Sequence, residues 1–158
     1  MNVLIIYDTV FGNTATIAQS IGDGVQGSAY VKVVKVDEVS ADQLKDTDML
    51  IIGSPTRGFR PTEGISEFMK NLTPEIVQGK KAAVFDTRVD LQDIKSRVFR
   101  FVVKTGGFAA KSLAKDLTKL GAVLIADPEG FLVTGDQGKE MVPGEPERAT
   151  GWGKNLLA

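Results

Sequence analysis

Residues 3–14 read Val3-Leu4-Ile5-Ile6-Tyr7-Asp8-Thr9-Val10-Phe11-Gly12-Asn13-Thr14, an apolar run that breaks abruptly into a short polar loop. Residues 15–21 then open a helical pattern. A strand that feeds a loop straight into a helix presents unpartnered backbone N–H groups and the positive end of the helix dipole. The hydroxyls of Thr9 and Thr14 and the amide of Asn13 add donors that carry no charge, and Gly12 lets the backbone come close to a ligand. Such a loop is an anion cradle, most naturally for a phosphate.

Outward from this stretch, five apolar, β-branched runs recur at residues 3–7, 30–36, 49–53, 82–85 and 122–126. Between them lie segments of helical spacing: Ile17/Ile21/Val25, Ile65/Phe68/Met69/Leu72 and Leu113/Leu117/Leu120, with Ala149/Trp152/Leu156 closing the chain. The alternation predicts an α/β fold, a doubly wound five-stranded parallel sheet with helices on both faces. The first and third runs are almost purely apolar, as strands buried on both faces should be. The second mixes Val31 and Val33 with Lys32 and Lys35, which suits an edge, and placing it outside the first gives the strand order 2-1-3-4-5. Residues 1–158 carry no repeat, low-complexity tract or linker and read as a single domain.

Composition narrows the chemistry. Nineteen basic and 20 acidic residues leave a net charge of −1, which argues against nucleic acid as a partner. There is no cysteine, which excludes disulfides, thiolate chemistry and iron–sulfur ligation, and no histidine, which removes the commonest general base and metal ligand. No catalytic side chain and no metal site is expected. No apolar run approaches the ~20 residues of a membrane span, so membrane insertion is not expected. Met1-Asn2 leads directly into a strand, and the expectation is a soluble cytoplasmic protein.

In a doubly wound sheet ligands bind at the carboxyl ends of strands where the order reverses, here between the first and third. Three loops should converge there: residues 8–14, the loop Gly53-Ser54-Pro55-Thr56-Arg57-Gly58-Phe59-Arg60-Pro61-Thr62, and one beginning Asp86-Thr87-Arg88. Helix capping alone would explain Thr and Asn in the first loop. A second loop rich in Gly, Pro and Arg at the neighbouring strand end favours a ligand site. In the segment 86–107, Leu91, Ile94, Val98, Phe101 and Val102 fall on one face of an amphipathic helix, expected to cover the sheet and the ligand with it.

Asp8-Thr9-Val10-Phe11-Gly12-Asn13-Thr14 after a first strand resembles the FMN-phosphate loop of flavodoxins and flavodoxin-like domains. The likeness extends to Gly53-Ser54-Pro55-Thr56-Arg57-Gly58-Phe59 and to Leu120-Gly121-Ala122, and covers essentially the whole chain. It implies FMN as cofactor, with the phosphate on Thr9, Val10, Phe11, Gly12, Asn13 and Thr14. The isoalloxazine ring would lie between Pro55, Thr56, Arg57, Gly58 and Phe59 on one side and Asp86, Thr87 and Arg88 on the other, with Gly106 nearby. It further implies an electron carrier that shuttles electrons between a protein reductase and a protein acceptor through the flavin semiquinone and hydroquinone. The alternative is a flavodoxin-like NAD(P)H:quinone oxidoreductase, a branch in which Pro-Thr-Arg is common. The chain departs from the family in having Arg57 where an aromatic often stacks, in having no Tyr in the third loop, and in its near-neutral charge. Phe59, Phe99, Phe101 or Phe108 are candidate substitutes for the missing aromatic. Arg57, Arg60 and Arg88 would frame the ring, opposed by Asp8, Asp86 and Asp90.

Other motifs are excluded by context. Gly22-Asp23-Gly24-Val25-Gln26-Gly27 matches G-x-G-x-x-G but ends a helix rather than opening one, which the dinucleotide fingerprint requires. A phospho-acceptor receiver domain needs an Asp at the end of the third strand, where this chain has Gly53-Ser54-Pro55. Trp152, at helical spacing with Leu156, reads as core.

Overall fold

The computed structural model describes the backbone of residues 1–158 and the side-chain surroundings of all but Gly106. Seven strands and seven helices alternate in the order β1 (Asn2–Tyr7), α1 (Asn13–Val25), β2 (Tyr30–Lys35), α2 (Ala41–Lys45), β3 (Met49–Pro55), α3 (Glu63–Asn71), α4 (Pro74–Val77), β4 (Lys81–Val89), α5 (Arg97–Gly106), α6 (Ala109–Lys119), β5 (Val123–Leu124), β6 (Glu129–Thr134), β7 (Glu140–Met141) and α7 (Glu145–Leu156). The sheet runs β2-β1-β3-β4-β6-β7, with β5 also beside β4. The doubly wound α/β architecture and the 2-1-3-4 core of the order agree with the sequence.

Strand pleating sorts the apolar residues into two cores. Leu4, Ile6, Leu50, Ile52 and Val84 face α3, α4 and α6, while Val3, Ile5, Met49, Ile51, Ala83 and Phe85 face α1 and α7. All of these are essentially inaccessible, as the unbroken apolar character of β1 and β3 requires.

The five-stranded 2-1-3-4-5 expectation needs correction at its last position. There the strand is split: Val123 lies opposite Lys81 and Glu129 opposite Phe85, so six residues of one strand pass four of the other. The interruption falls at Ala126-Asp127-Pro128, where proline has no N–H for the ladder. The short antiparallel β7 then closes the edge.

Two further expectations are revised at β4. Asp86, Thr87 and Arg88 belong to the strand rather than to a loop, because β6 pairs with it as far as Val89. The helix expected from Leu91 to Val102 is broken. Asp90 starts one short turn by accepting from Gln92 N–H at 2.9 Å, and Ser96 starts α5 by accepting from Phe99 N–H at 3.2 Å. The Arg100 guanidinium donates to the Ile94 carbonyl that the break frees. Nor does α5 cover the sheet, since Val98, Phe99, Phe101 and Val102 are all exposed.

The start of α7 is locked to β6. Buried Glu145 accepts from Leu132 N–H at 2.7 Å and from Arg148 at 2.9 and 2.8 Å, and Arg148 lies 4.4 Å over the Phe131 ring. The hydrogen bond from Arg148 holds the Glu145 carboxyl below its ordinary value of 4.5 against the opposing effect of burial. A depressed folded value means stability that is present above the unfolded value and is lost as pH falls through the folded one. Glu145→Gln is therefore expected to cost about 1.5 kcal/mol at neutral pH and less at pH 3, read by urea unfolding at both. Equal costs at the two pH values would contradict this account.

Candidate cofactor site

The loop after β1 folds into a helix cap. Gly12 at φ 96° is the N-cap of α1, its N–H donates to Thr9 Oγ1 at 3.0 Å, and Thr9 N–H donates to Asp8 Oδ1 at 2.8 Å. The other Asp8 oxygen accepts from Thr62 Oγ1 at 2.6 Å, which ties the carboxylate toward the start of α3 and away from the cradle. Among the described residues the amides of Val10, Phe11, Asn13, Thr14 and Ala15 find no acceptor within the chain. Five free donors at a helix N-terminus are an arrangement that suits an anion.

Side chains in the same loop do structural work. Asn13 Nδ2 donates to the carbonyls of Gly138 and Lys139, both at 3.1 Å, and the buried Thr14 hydroxyl pairs with that of Thr87 at 2.8 Å. The cradle is therefore chiefly backbone, fixed from below by β4 and from the side by the turn after β6.

A shallow cleft opens from the cradle and is lined by Thr9, Val10, Phe11, Asn13, Thr14, Pro55, Thr56, Arg57, Thr87 and Arg88. All ten are among the residues named from the sequence, whereas Gly12 of the same loop does not line the cleft. The cleft is also lined by Val89, Val133, Gln137 and Gly138, which the sequence did not reveal. The Gly135-Asp136-Gln137-Gly138 run reads as a turn, but nothing in it says that the split last strand delivers it beside Asn13.

Gly58 and Phe59 sit in an adjoining apolar crevice with Val89, Ile94, Phe99 and Phe108, and Thr56 and Arg88 border both spaces. Gly58 (φ 54°) and Phe59 (φ 68°) are the two central residues of a hairpin turn closed by Arg57 N–H to Arg60 O at 2.8 Å and the reverse bond at 3.1 Å. Positive φ at both positions is the type I′ form, which glycine adopts without strain and phenylalanine does not. Gly106 lies outside the described residues.

Asp86 does not line the cleft. It is fully buried behind Arg88, which donates to its two oxygens at 2.6 and 2.8 Å, and it also accepts from Ala110 N–H at 2.9 Å at the start of α6. Burial raises the Asp86 carboxyl above its usual range, with Arg88 and then the Ala110 amide opposing the rise. Arg88 in turn stacks 3.8 Å over Phe108, so its charge is matched and its plane is fixed. Of the three arginines expected to frame the site, Arg57 is the one that lies over an aromatic of the cradle loop, 5.5 Å above Phe11, with Lys139 Nζ at 5.6 Å from the same ring.

The flavodoxin family model matches residues 5–147. This chain is a member of the flavodoxin family. Among its relatives, the flavodoxin of Picosynechococcus sp. is 42% identical over 52 residues, 33% of this chain and 31% of that one. The flavodoxin of Aquifex aeolicus is 29% identical over 90 residues, covering 54% of this chain and 49% of that one. The matched stretches thus span about a third and about half of these relatives' own lengths. A flavodoxin from the domain Archaea superposes with a TM-score of 0.78 at 21% identity over 99% of this chain and 96% of that one. Flavodoxin 1 from Bacillus cereus gives 0.75 at 20%, covering 99% and 97%. These structural likenesses carry the fold. Flavodoxins bind FMN. Free amides at a helix N-terminus suit its phosphate, and the apolar crevice beside the Gly58 turn suits its ring. No group of three His, Cys, Asp or Glu able to hold a metal occurs among the described residues, and none of their helices is long and apolar enough to cross a membrane.

Proposed function

We propose that this flavodoxin-family chain binds FMN between the α1 cradle and the Gly58 turn and carries electrons between protein partners. The observation that carries the reading is the set of free amides from Val10 to Ala15 opening onto a cleft that continues into an apolar crevice. Val10, Phe11, Asn13, Thr14 and Ala15 would hold the phosphate by their N–H groups. Thr56, Gly58, Phe59 and Arg88 would border the ring and exclude water from it. FMN, when bound, supplies the redox chemistry, accepting and releasing electrons in its isoalloxazine ring. Titrating the purified apoprotein with FMN should quench flavin fluorescence at one equivalent, and riboflavin, which lacks the phosphate, should bind far more weakly. A chain that takes up neither flavin would sink the proposal.

The peptide joining Gly58 to Phe59 is the chain's means of adapting to the cofactor's charge and proton state. With glycine at its first residue it can present either its N–H or its carbonyl toward the ring. Gly58→Ala makes one of these orientations costlier by about 1 kcal/mol. That corresponds to a first-electron potential lowered by roughly 40 mV, read by spectroelectrochemical titration. An unchanged potential would show that this peptide stays fixed.

A reductase reading gains support from one observation. The segment after β4 leaves the crevice open instead of closing it, so a small substrate has access to its mouth. Direct oxidation of NAD(P)H by the FMN-loaded protein, with no separate reductase, would establish that reading in place of a carrier.

A further inference from the structure

We propose that the exposed face of α5 and the crevice behind it form the docking surface for an acidic redox protein. The proposal rests on the reading that this chain carries FMN. Three observations support it together.

The first is the solvent-facing apolar surface. Val98 is 75% exposed and Phe101 69%, and Phe99 and Val102 are also largely open to solvent. A folded chain does not leave four neighbouring large apolar side chains on one ten-residue helix in water without a use for them.

The second is charge. From residue 95 to residue 111 the chain carries Lys95, Arg97, Arg100, Lys104 and Lys111 and no acidic residue, in a protein whose overall balance is −1. On α5 Arg97 (i−4) and Lys104 (i+3) flank the exposed Phe101, with Val98 and Val102 beside it, while Arg100 is turned back onto the Ile94 carbonyl. Across the cleft Arg57 and Lys139 lie over Phe11, itself exposed. An apolar centre between cationic margins is the anatomy of a protein–protein interface whose partner is acidic.

The third is continuity with the site. Phe99 of α5 lines the crevice together with Thr56, Gly58 and Arg88, and Thr56 and Arg88 also line the phosphate cleft. A partner seated on α5 therefore meets the cofactor's space directly. That space is concave, and a convex protein surface can enter it whereas a flat bilayer cannot. A second copy of this chain would bring Arg97 and Lys104 against their own like charges.

The test uses the FMN-loaded protein, photochemically reduced, with cytochrome c as a one-electron acceptor in two forms: native, which is basic, and lysine-succinylated, which is acidic. One electron passes from the reduced flavin to ferric haem. With the acidic acceptor the second-order rate constant should fall on the order of tenfold between about 10 and 300 mM salt. With the native acceptor it should stay level or rise. Arg97→Glu/Lys104→Glu, two exposed positions outside the cofactor site, should reverse both slopes, and Phe101→Ser should slow transfer several-fold at every salt concentration. A native acceptor that reacts faster and slows with salt would overturn the proposal, as would a charge-reversed variant with unaltered slopes. Sedimentation of the wild-type protein, but not of the variant, with phosphatidylcholine vesicles containing phosphatidylglycerol would assign the surface to a membrane instead. A chain that takes no FMN fails both readings, whereas one that takes FMN and shows the opposite slopes fails this one alone.

Discussion

Asp86→Ala is expected to destabilise the protein by about 3–5 kcal/mol, because it strands the Arg88 guanidinium in a buried setting and removes an acceptor at the start of α6. Asp86 has no exposure, and Arg88 keeps only 21% of its side-chain surface. Two causes act together: a cation left without its carboxylate, and the Ala110 amide left without its partner. Arg88→Met is expected to cost a similar amount for the mirrored reason, while keeping an apolar contact for Phe108. Asp86→Ala/Arg88→Met should recover more than half of either loss, since an apolar pair desolvates no charge. Urea unfolding of the four proteins checks this, and additive losses would show that the two side chains act independently.

The pH dependence separates the two single variants. Burial raises the folded Asp86 carboxyl above its unfolded value, with Arg88 as the leading opposing influence. The folded chain then holds this proton to higher pH than the unfolded chain does. The associated stability is present below the unfolded value and is lost as pH rises through the folded one. Without Arg88 the rise is larger, so Arg88→Met should be most destabilised at pH 8 and regain stability toward pH 5. Asp86→Ala has no such group and should show no such recovery.

How much of this was legible in the sequence follows from where each signal is local. The strand end, the glycine cap and the helix start within residues 3–14 were, because each is local, whereas the contacts of Asn13 with Gly138 and Lys139 and of Thr14 with Thr87 that fix the loop were not. The core of the sheet was legible too, where β1 and β3 are apolar without interruption. The extension of β4 through Asp86, Thr87 and Arg88 was hidden because three polar residues read as a loop. They tolerate burial through the pairing of Asp86 with Arg88, the Thr14 hydroxyl on Thr87, a partner strand from residues 129–134 and an amide from α6. The break in the helix after β4 was more accessible: Asp90 and Ser96 are both helix starters, and weighing caps alongside periodicity would have placed two elements there. The lining contributed by Gln137 and Gly138 depends on the two-residue slip of the last strand, a tertiary fact with no local trace.

Thr9→Asp should separate phosphate recognition from ring binding. At this position a carboxylate can still accept from Gly12 N–H as the threonine hydroxyl does, since aspartate is as good a local acceptor in a loop that leads into a helix. The fold should therefore be retained, with an unfolding midpoint close to that of the wild type. The new charge, however, stands inside the cradle. At about 5 Å and an effective dielectric of ~20, one unit charge repels another by roughly 3 kcal/mol, or more than a hundredfold in Kd. Riboflavin carries no phosphate, so its binding should change little. The measured quantity is the ratio of riboflavin to FMN dissociation constants, expected to be large in the wild type and to collapse toward one in Thr9→Asp. Raising salt should restore part of the FMN affinity in the variant, because the cradle opens to solvent and its repulsion is screened. If both flavins weaken equally, the residue acts through the ring or the fold. If neither weakens, the phosphate lies elsewhere than against the start of α1.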